Sequence, residues 1–207
     1  MEERAVPTGV HIRDAREQLF DAAERVLLRD GPSGLTSRAV TTEAGVAKGV
    51  LHRHFADFDA FLAELVRDRV ARIEAQAADL RSSAGTGTVA GNLTGALMDL
   101  FDSVVVSIVS LVIFRDELRA HLRQTMPAYR VPVLGQATDA IAGYLSDECE
   151  LGRIAADADV DSLALSLIGA GHLLFAGRAP SAAPPDADAV GKVVTTVMAD
   201  AVQRRLL

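Results

Sequence analysis

The sequence predicts an all-α protein with two helical regions, and three observations support this. Of its 207 residues 49% are hydrophobic, but aromatic residues make up only 4% and Trp is absent. The core must therefore be mostly Ala, Val and Leu, and Ala and Leu favour helix. Apolar residues recur at steps of three and four, as on one face of a helix, and no run alternates with a period of two. A segment rich in Gly, Ser and Thr, residues 81–91, separates the two regions.

The first region starts with a charged segment, residues 1–10, which we expect to be a flexible arm. An amphipathic first helix follows, and Gly31 with Pro32 after it is expected to end this helix. Its apolar stripe consists of Ile12, Ala15, Leu19, Ala22, Ala23, Val26 and Leu27.

Two short helices on either side of a glycine come next. Thr36 or Ser37 can cap the first of them, and Gly45 ends it. The second is expected from about Ala47 to His54. Because a tight turn needs backbone angles that other residues resist, this glycine is typical of a helix-turn-helix. An ordinary surface hairpin has a similar pattern, so the residues alone leave both interpretations open.

A long fourth helix is predicted after Asp57, which can cap it, and it should run toward Leu80. Its apolar side chains are Phe58, Phe61, Leu62, Leu65, Val66 and Ile73. Beyond residues 81–91 the stripe resumes on a single predicted helix, whose second half is apolar on nearly all sides and should be central. That stripe is Leu93, Leu97, Leu100, Val104, Ile108 and Leu111. Pro127 and Pro132 break the pattern, and further helices are predicted at 133–149, 159–177 and 187–206.

Composition restricts the compartment and the chemistry. The net charge is −7 and Cys149 is the only cysteine, so no internal disulfide or cysteine-rich zinc site can form. A reducing cytoplasm is the expected location. We expect no signal peptide, because the first ten residues lack an apolar core. We expect no membrane partner either, because the most apolar run, Val104 to Phe114, is too short to span a bilayer.

No catalytic motif, cofactor loop or metal-ligand spacing is present, so we expect neither an enzyme nor a cofactor. His52 and His54 are two residues apart and do not share one helix face, which argues against a metal site. Glu148 and Glu150 flank Cys149 and should raise its pKa, which makes it a poor nucleophile.

The stretch "TSRAVTTEAGVAKGVLHRHF", residues 36–55, and the residues after it keep one pattern in order and without a gap. The matching positions are Thr36, Val40, Ala44, Gly45, Val46, Gly49, Leu51, Phe55 and Leu62. This pattern resembles the DNA-binding domain of the TetR family of bacterial transcriptional repressors. The resemblance implies a helix-turn-helix domain over residues 11–56 and a helical ligand-binding and dimerisation domain over residues 57–207.

The resemblance further implies a homodimer on a palindromic operator, with the third helix of each subunit in a major groove. A small-molecule effector would bind the C-terminal domain and release the DNA. By analogy the phosphate contacts are Thr36, Lys48 and His54, and Gly49 belongs to the same surface. Candidates for base or further backbone contacts are Ser37, Arg38, Val50, His52 and Arg53. Because histidines titrate near neutral pH, operator affinity should rise as the pH falls from about 8 to about 6.

Five positions depart from the family pattern. Ala47 stands where a capping Ser is usual, and Phe58 stands where a Lys often meets phosphate. Val50 replaces a common Thr, and His52 and His54 stand where tyrosines are frequent. The alternative is therefore a small-molecule-binding helical protein that has lost DNA recognition.

The effector pocket implied by the family should be mostly apolar with a few polar groups. The polar or aromatic candidates are Asp102, His121, Tyr129, Tyr144 and His172, and the lining candidates are Met98, Phe101, Phe114, Met126 and Phe175. For Phe101, Phe114 and Phe175 a plain core position remains open. Asp99 lies one turn before Asp102. The pair indicates a cationic ligand or a metal on one interpretation, and a solvated patch or a helix-end effect on the other. His121 is expected to be exposed, and His172 to be a core or interface histidine.

The last two helices carry the predicted dimer interface, as a four-helix arrangement with their two-fold mates. The stripes are Val160, Leu163, Leu167, Ala170, Gly171 and Leu174 on one helix and Val190, Val193, Val194, Val197 and Ala201 on the other. The alternative is that both stripes face the core of a single subunit.

Overall fold

A computed structural model describes residues 8–101, 103–176, 183 and 185–203 of the chain. These residues form ten helices and no β-strand, so the all-α prediction is confirmed. The helices are α1 (Thr8–Gly34), α2 (Ser37–Glu43), α3 (Gly49–His54), α4 (Phe58–Ser82), α5 (Val89–Leu100), α6 (Ser103–Phe114), α7 (Asp116–Thr125), α8 (Pro132–Glu150), α9 (Val160–Ala176) and α10 (Ala187–Gln203). Of the predicted arm, residues 1–7 lie outside the described part, and residues 8–10 belong to α1.

The first helix buries five of the seven residues of its predicted stripe and breaks where the sequence indicated. Ala15 is partly buried, and the side chain of Ile12 lies outside the described part of the structure. Leu19, Ala22, Ala23, Val26 and Leu27 are all buried. Gly31 has a φ of +71°, which interrupts the helical backbone, and Pro32 follows it in a final turn that reaches Gly34.

The fourth helix extends from the N-terminal region into the C-terminal region. The carboxylate of Asp57 accepts a hydrogen bond of 2.7 Å from the backbone N–H of Ala60, which satisfies one of the free donors at the start of α4. At this end α4 packs against α3, and further along it packs against α7, α5 and especially α8. Its buried apolar side chains include the predicted Phe61, Leu62, Leu65, Val66 and Ile73.

The prediction of one continuous helix through residues 93–111 is wrong, because α5 and α6 meet at an angle of 61°. Phe101 has φ −89° and ψ 43°, outside the helical range. No Gly or Pro lies near the bend, and the apolar spacing continues across it, so the sequence carries no local signal for it. The bend accompanies close packing of Phe101 against α9: a Cβ on Gly171 would lie 2.6 Å from the Phe101 ring.

The remaining helices form the body of the C-terminal region. α8 packs on α4 and α9, α10 packs on α9 and α5, and α6 packs on α1, α7 and α9. Pro132 is the first residue of α8, as the predicted break requires. Within the described residues no single helix is both long and apolar enough to cross a membrane, although α5 and α6 pass that test together as a bent pair.

The two stripes predicted for the dimer interface lie partly inside the subunit. Leu167 and Gly171 of α9 and Val190, Val194 and Ala201 of α10 are buried within the chain. These five residues therefore face the core of a single subunit, which was the alternative to a dimer interface. The large apolar side chains that α9 leaves exposed are instead Leu165, at 65%, and Leu173, at 73%.

Candidate nucleic-acid interface and internal cavity

The turn between α2 and α3 has a specific hydrogen-bonded geometry that depends on Gly45. The N–H of Gly45 donates to the carbonyl of Thr42 at 3.1 Å, and the N–H of Val46 donates to that of Thr41 at 3.0 Å. These two bonds form a Schellman motif, which needs a residue with positive φ, and Gly45 has φ +67°. Thr36 caps α2, since its hydroxyl accepts from the Ala39 N–H at 3.1 Å. The predicted helix-turn-helix is therefore present.

The two short helices are held in place by apolar packing. Val40 of α2 and Leu51 of α3 are fully buried, and Ala44 and Val46 in the turn pack against the same core. Phe55 continues this core after α3, with its ring 5.0 Å from that of Phe61. Because both inner faces are buried, the opposite faces of α2 and α3 are left toward solvent.

That outer surface carries cations without an internal partner. Arg38, Lys48 and Arg53 are exposed, and none of them makes an ion pair with the described part of the chain. His52 is exposed beside them, and His54 is partly exposed. We call Arg38, Lys48, His52 and Arg53 the cationic surface.

Two acidic groups of the N-terminal region are paired with arginines. Glu43 at the end of α2 accepts hydrogen bonds from Arg25 at 2.8 Å and from Arg29 at 2.7 Å. These bonds, that from Arg25 first, lower the pKa of the Glu43 carboxyl. Glu24 of α1 lies 3.7 Å from Arg72 of α4. These two carboxylates are therefore paired, whereas the cationic surface is available to a polyanion.

Not every residue predicted to contact DNA belongs to this surface. The hydroxyl of Ser37 is buried and has no hydrogen-bond partner among the described residues. Val50 is partly buried against the core. Gly49 is exposed at the start of α3 with open space around its Cα. As expected from Ala47, no side chain caps the N-terminus of α3.

Phe58 takes part in the junction between the two regions. Its ring stacks on Phe61 with centroids 5.6 Å apart, and the guanidinium of Arg115 lies 5.4 Å from its centre. The same arginine donates to the Asp59 carboxylate at 2.6 Å. Where the family pattern often has a lysine, this protein therefore has an aromatic contact between the start of α4 and the α6–α7 turn.

A cavity of about 360 Å³ lies between α4, α5 and α8 in the C-terminal region. Its apolar wall includes Ile73, Ala77, Leu80, Leu100, Ala137 and Ile141. Its polar members are Gln76, Asp79, Ser83, Asn92 and Asp99. Such a mostly apolar wall with few polar groups is the usual composition of a small-molecule site.

A buried polar network closes one side of this cavity. Asn92 lines the cavity, and its amide donates to the Tyr144 hydroxyl at 3.0 Å. Burial, and next a hydrogen bond with Glu148, raise the pKa of Tyr144. Glu148 is fully buried, and Arg153 lies 3.4 Å from its carboxylate. Arg153 also donates to the carbonyl of Gly87 at 2.7 Å, so the network ties the α4–α5 connection to the end of α8.

Comparison with known proteins identifies the helix-turn-helix. Residues 19–65 match the family model described as bacterial regulatory proteins, tetR family. The N-terminal region of the chain is therefore similar to the DNA-binding region of the TetR family. No curated protein matches the chain.

Several solved structures share the TetR fold along nearly the whole chain. A TetR family member from Streptomyces coelicolor is 20% identical with a TM-score of 0.63, over 88% of this chain and 97% of that one. A transcriptional regulator from Rhodococcus is 20% identical with a TM-score of 0.64, over 90% and 97%. The transcriptional regulator FadR from Bacillus subtilis, in complex with stearoyl-CoA, is 18% identical with a TM-score of 0.62, over 91% and 98%.

The residues predicted to bind a ligand do not line the cavity. Phe101 stacks on Phe175 with centroids 5.6 Å apart, and His172 lies 6.1 Å from Phe101, so these three form a separate aromatic cluster. Phe114 is 82% exposed at the end of α6. Asp102 lies outside the described residues.

Four other predicted ligand residues also lie elsewhere. Tyr129 donates to Asp139 on α8, Met98 and Met126 are partly buried against the core, and Tyr144 reaches the cavity only through Asn92. His121 is partly buried on α7 rather than fully exposed. Of the aspartate pair considered in the sequence, Asp99 does line the cavity.

The sequence did not predict the polar network of Asn92, Tyr144, Glu148 and Arg153. Its members look like ordinary polar residues in their local sequence. Glu148 is one of three acidic residues in "DECE", and only the structure distinguishes the buried one. Cys149 has a raised pKa, as predicted, but the main cause is burial, followed by Asp157 and Glu150. In the described part of the chain, no three His, Cys, Asp or Glu side chains are grouped to hold a metal ion.

Proposed function

We propose that this protein is a ligand-responsive transcriptional repressor that binds a palindromic operator as a homodimer and is released by a small-molecule effector. The observation that carries the proposal is the cationic surface on the outer face of the helix-turn-helix, where Arg38, Lys48 and Arg53 form no ion pair with the described residues. Local positive charge is what phosphate binding requires, even on a chain with a net charge of −7.

In this proposal the contacts divide between the sugar-phosphate backbone and the bases. Thr36, Lys48 and His54 contact phosphates and set the register. Arg38, His52 and Arg53 contact base edges or further phosphates from α2 and α3. Gly49 allows the start of α3 to approach the DNA closely, because it has no side chain to obstruct it. Val50 contributes only through its exposed part, as an apolar contact to a thymine methyl. The buried Ser37 hydroxyl argues against the contact predicted for that residue.

The cavity between α4, α5 and α8 is the proposed effector site. Its volume of about 360 Å³ lies in the range that small-molecule sites occupy. The similarity to FadR, which was solved with stearoyl-CoA, supports the idea that a protein of this fold takes a small-molecule ligand. Because α4 lines the cavity and also packs against α3, a ligand that moves α4 would move the helix-turn-helix.

The proposed homodimer uses α9 and α10. Leu165 and Leu173 are eight residues apart on α9 with the exposed Gly169 between them, so one apolar stripe faces solvent. Leu163 of α9 and Val197 of α10 are partly exposed and line one groove between these helices. Large exposed apolar side chains in a row are typical of an interaction surface.

DNA binding is tested by fluorescence anisotropy with the promoter region upstream of the protein's own gene. Lys48→Ala and Arg53→Ala should each weaken binding at least about tenfold. Where the lost contact is to a phosphate, the slope of log affinity against log salt concentration should become less steep by about 1. Lys192→Ala, which removes an exposed cation from α10, is the control and should bind normally. A wild-type protein without salt-sensitive DNA binding would instead favour the alternative, a small-molecule-binding protein that has lost DNA recognition.

A further inference from the structure

We infer that the effector is an organic cation, an amine or ammonium compound with an apolar body, bound between Asp79 and Asp99. This inference rests on the proposed effector role of the cavity and adds the chemical class of the ligand. Asp79 projects from α4 and Asp99 from α5, and both line the cavity. Negative charge therefore reaches the cavity from two separate helices.

Within the described residues nothing compensates these two carboxylates. Neither forms an ion pair with the described part of the chain, and no Lys, Arg or His there lines the cavity. The arginine closest in sequence, Arg81, is bound to Asp147 by two hydrogen bonds of 2.8 and 2.9 Å. The nearest lysine, Lys192, lies in the neighbouring groove between α5 and α10.

The helix ends add to the same negative potential. Asp79 is in the last turn of α4, which ends at Ser82, and Asp99 is in the last turn of α5, which ends at Leu100. The C-terminus of a helix carries a partial negative charge, so an acidic side chain there is unfavourable and a cation is favourable. Two carboxylates at two such helix ends thus face one cavity. Their repulsion from the helix ends lowers the stability of the protein without a ligand. A bound cation would relieve that repulsion.

The rest of the wall specifies what surrounds the charge. Ile73, Leu80 and Ile141 give an apolar surface for a hydrocarbon or aromatic body, while the amide of Gln76 offers a hydrogen bond at the charged end. Both carboxylates are exposed at the mouth, so the cation would sit there with its apolar part inside. An anionic ligand would meet repulsion from both aspartates. The class is therefore an amphipathic cation.

The test uses three probes of equal chain length: phenylbutylamine, phenylbutanol and phenylbutyrate. Their binding to the full chain is measured by isothermal titration calorimetry without DNA. We expect the amine to bind more tightly than the alcohol and the carboxylate to bind least. Asp79→Asn and Asp99→Asn should each weaken amine binding about three- to fivefold and leave alcohol binding unchanged. Glu74→Gln, an exposed carboxylate of α4 outside the cavity, is the matched control and should change neither.

A second measurement needs no ligand. If the two aspartates repel each other and the helix ends, Asp79→Asn and Asp99→Asn should each raise the Tm of the free protein by about 1–3 °C, unlike Glu74→Gln. The inference is overturned if the alcohol binds as tightly as the amine, if the amine does not bind, or if both aspartate variants keep wild-type affinity. These results are independent of operator binding. A protein that binds the amine but no DNA would refute the proposed function and not this inference.

Discussion

At the scale of single residues, the positions that hold the helix-turn-helix together differ from those that would contact DNA. Gly45, Val40 and Leu51 determine the path of the backbone through one positive φ angle and two fully buried side chains. Arg38 and Arg53 project from that frame and contribute nothing to its packing. Substitution of either arginine should therefore change DNA affinity and leave folding intact. Substitution of Gly45, Val40 or Leu51 should instead lower the stability of the fold.

Gly45→Ala tests whether the turn between α2 and α3 depends on a positive φ angle. Open space surrounds the Cα, so an alanine side chain would meet no atom, and the effect comes from backbone strain alone. At φ +67° a residue with a Cβ is disfavoured by about 1–2 kcal/mol, and we expect the free energy of unfolding in urea to fall by that amount. Gly49→Ala is the matched control, because Gly49 also has open space but no positive φ. An equal loss in both variants would contradict the role given to Gly45.

His172 gives a prediction on pH dependence. Burial lowers the pKa of His172, so the unfolded chain takes up a proton at a higher pH than the folded chain does. Stability from the neutral ring is present above the unfolded pKa of about 6.5 and is lost as the pH falls through the folded value.

The measurement compares urea unfolding at about pH 7.5 and about pH 5. His172→Gln should lose less stability between the two pH values than the wild type, while His121→Gln on α7 should behave as the wild type does. An unchanged pH dependence in His172→Gln would show that another group is responsible.

At the scale of elements, the sequence predicted the amphipathic helices well and the contacts between helices poorly. The caps at Thr36 and Asp57 and the breaks at Gly31 and Pro132 are local events, and local residue types indicate them. The bend at Phe101 has no such signal, since it accompanies packing against α9, seventy residues away in the chain. The cavity was missed for the same reason: its wall combines α4, α5 and α8, and small residues such as Ala137 carry no mark of a binding site.

The ion pair between Arg153 and Glu148 gives a prediction at this scale. Arg153→Met would leave the fully buried Glu148 carboxylate without its cation and release the carbonyls of Thr86 and Gly87. A buried charge that loses its partner destabilises a protein by about 3–5 kcal/mol, and we expect a loss near about 3 kcal/mol in urea unfolding. Arg81→Met is the control, because its pair with Asp147 is on the surface and should matter little. Equal effects of the two variants would argue against a structural role for the buried pair.

At the scale of the whole molecule, the cationic surface and the cavity with Asp79 and Asp99 lie in different regions of the chain. Much of the acidity near the helix-turn-helix is paired with α1 and α4 arginines, and the unpaired carboxylates described above face the cavity. The apolar stripe on α9 is a third surface, separate from both. DNA, effector and second subunit would thus each meet a surface of matching chemistry.

The dimer is tested by placing charges in that stripe. Leu165→Glu and Leu173→Glu should convert a dimer into a monomer in sedimentation velocity, because a carboxylate buried across a two-fold axis would face its own copy. Both leucines are already exposed in the subunit, so the monomer should keep its fold and its circular dichroism. Leu151→Glu changes an equally exposed leucine just beyond α8 and should leave the dimer intact. Because a palindrome needs two subunits, the two α9 variants should also lose most operator affinity while retaining amine binding. A monomeric wild type, or α9 variants that remain dimeric, would place the interface elsewhere.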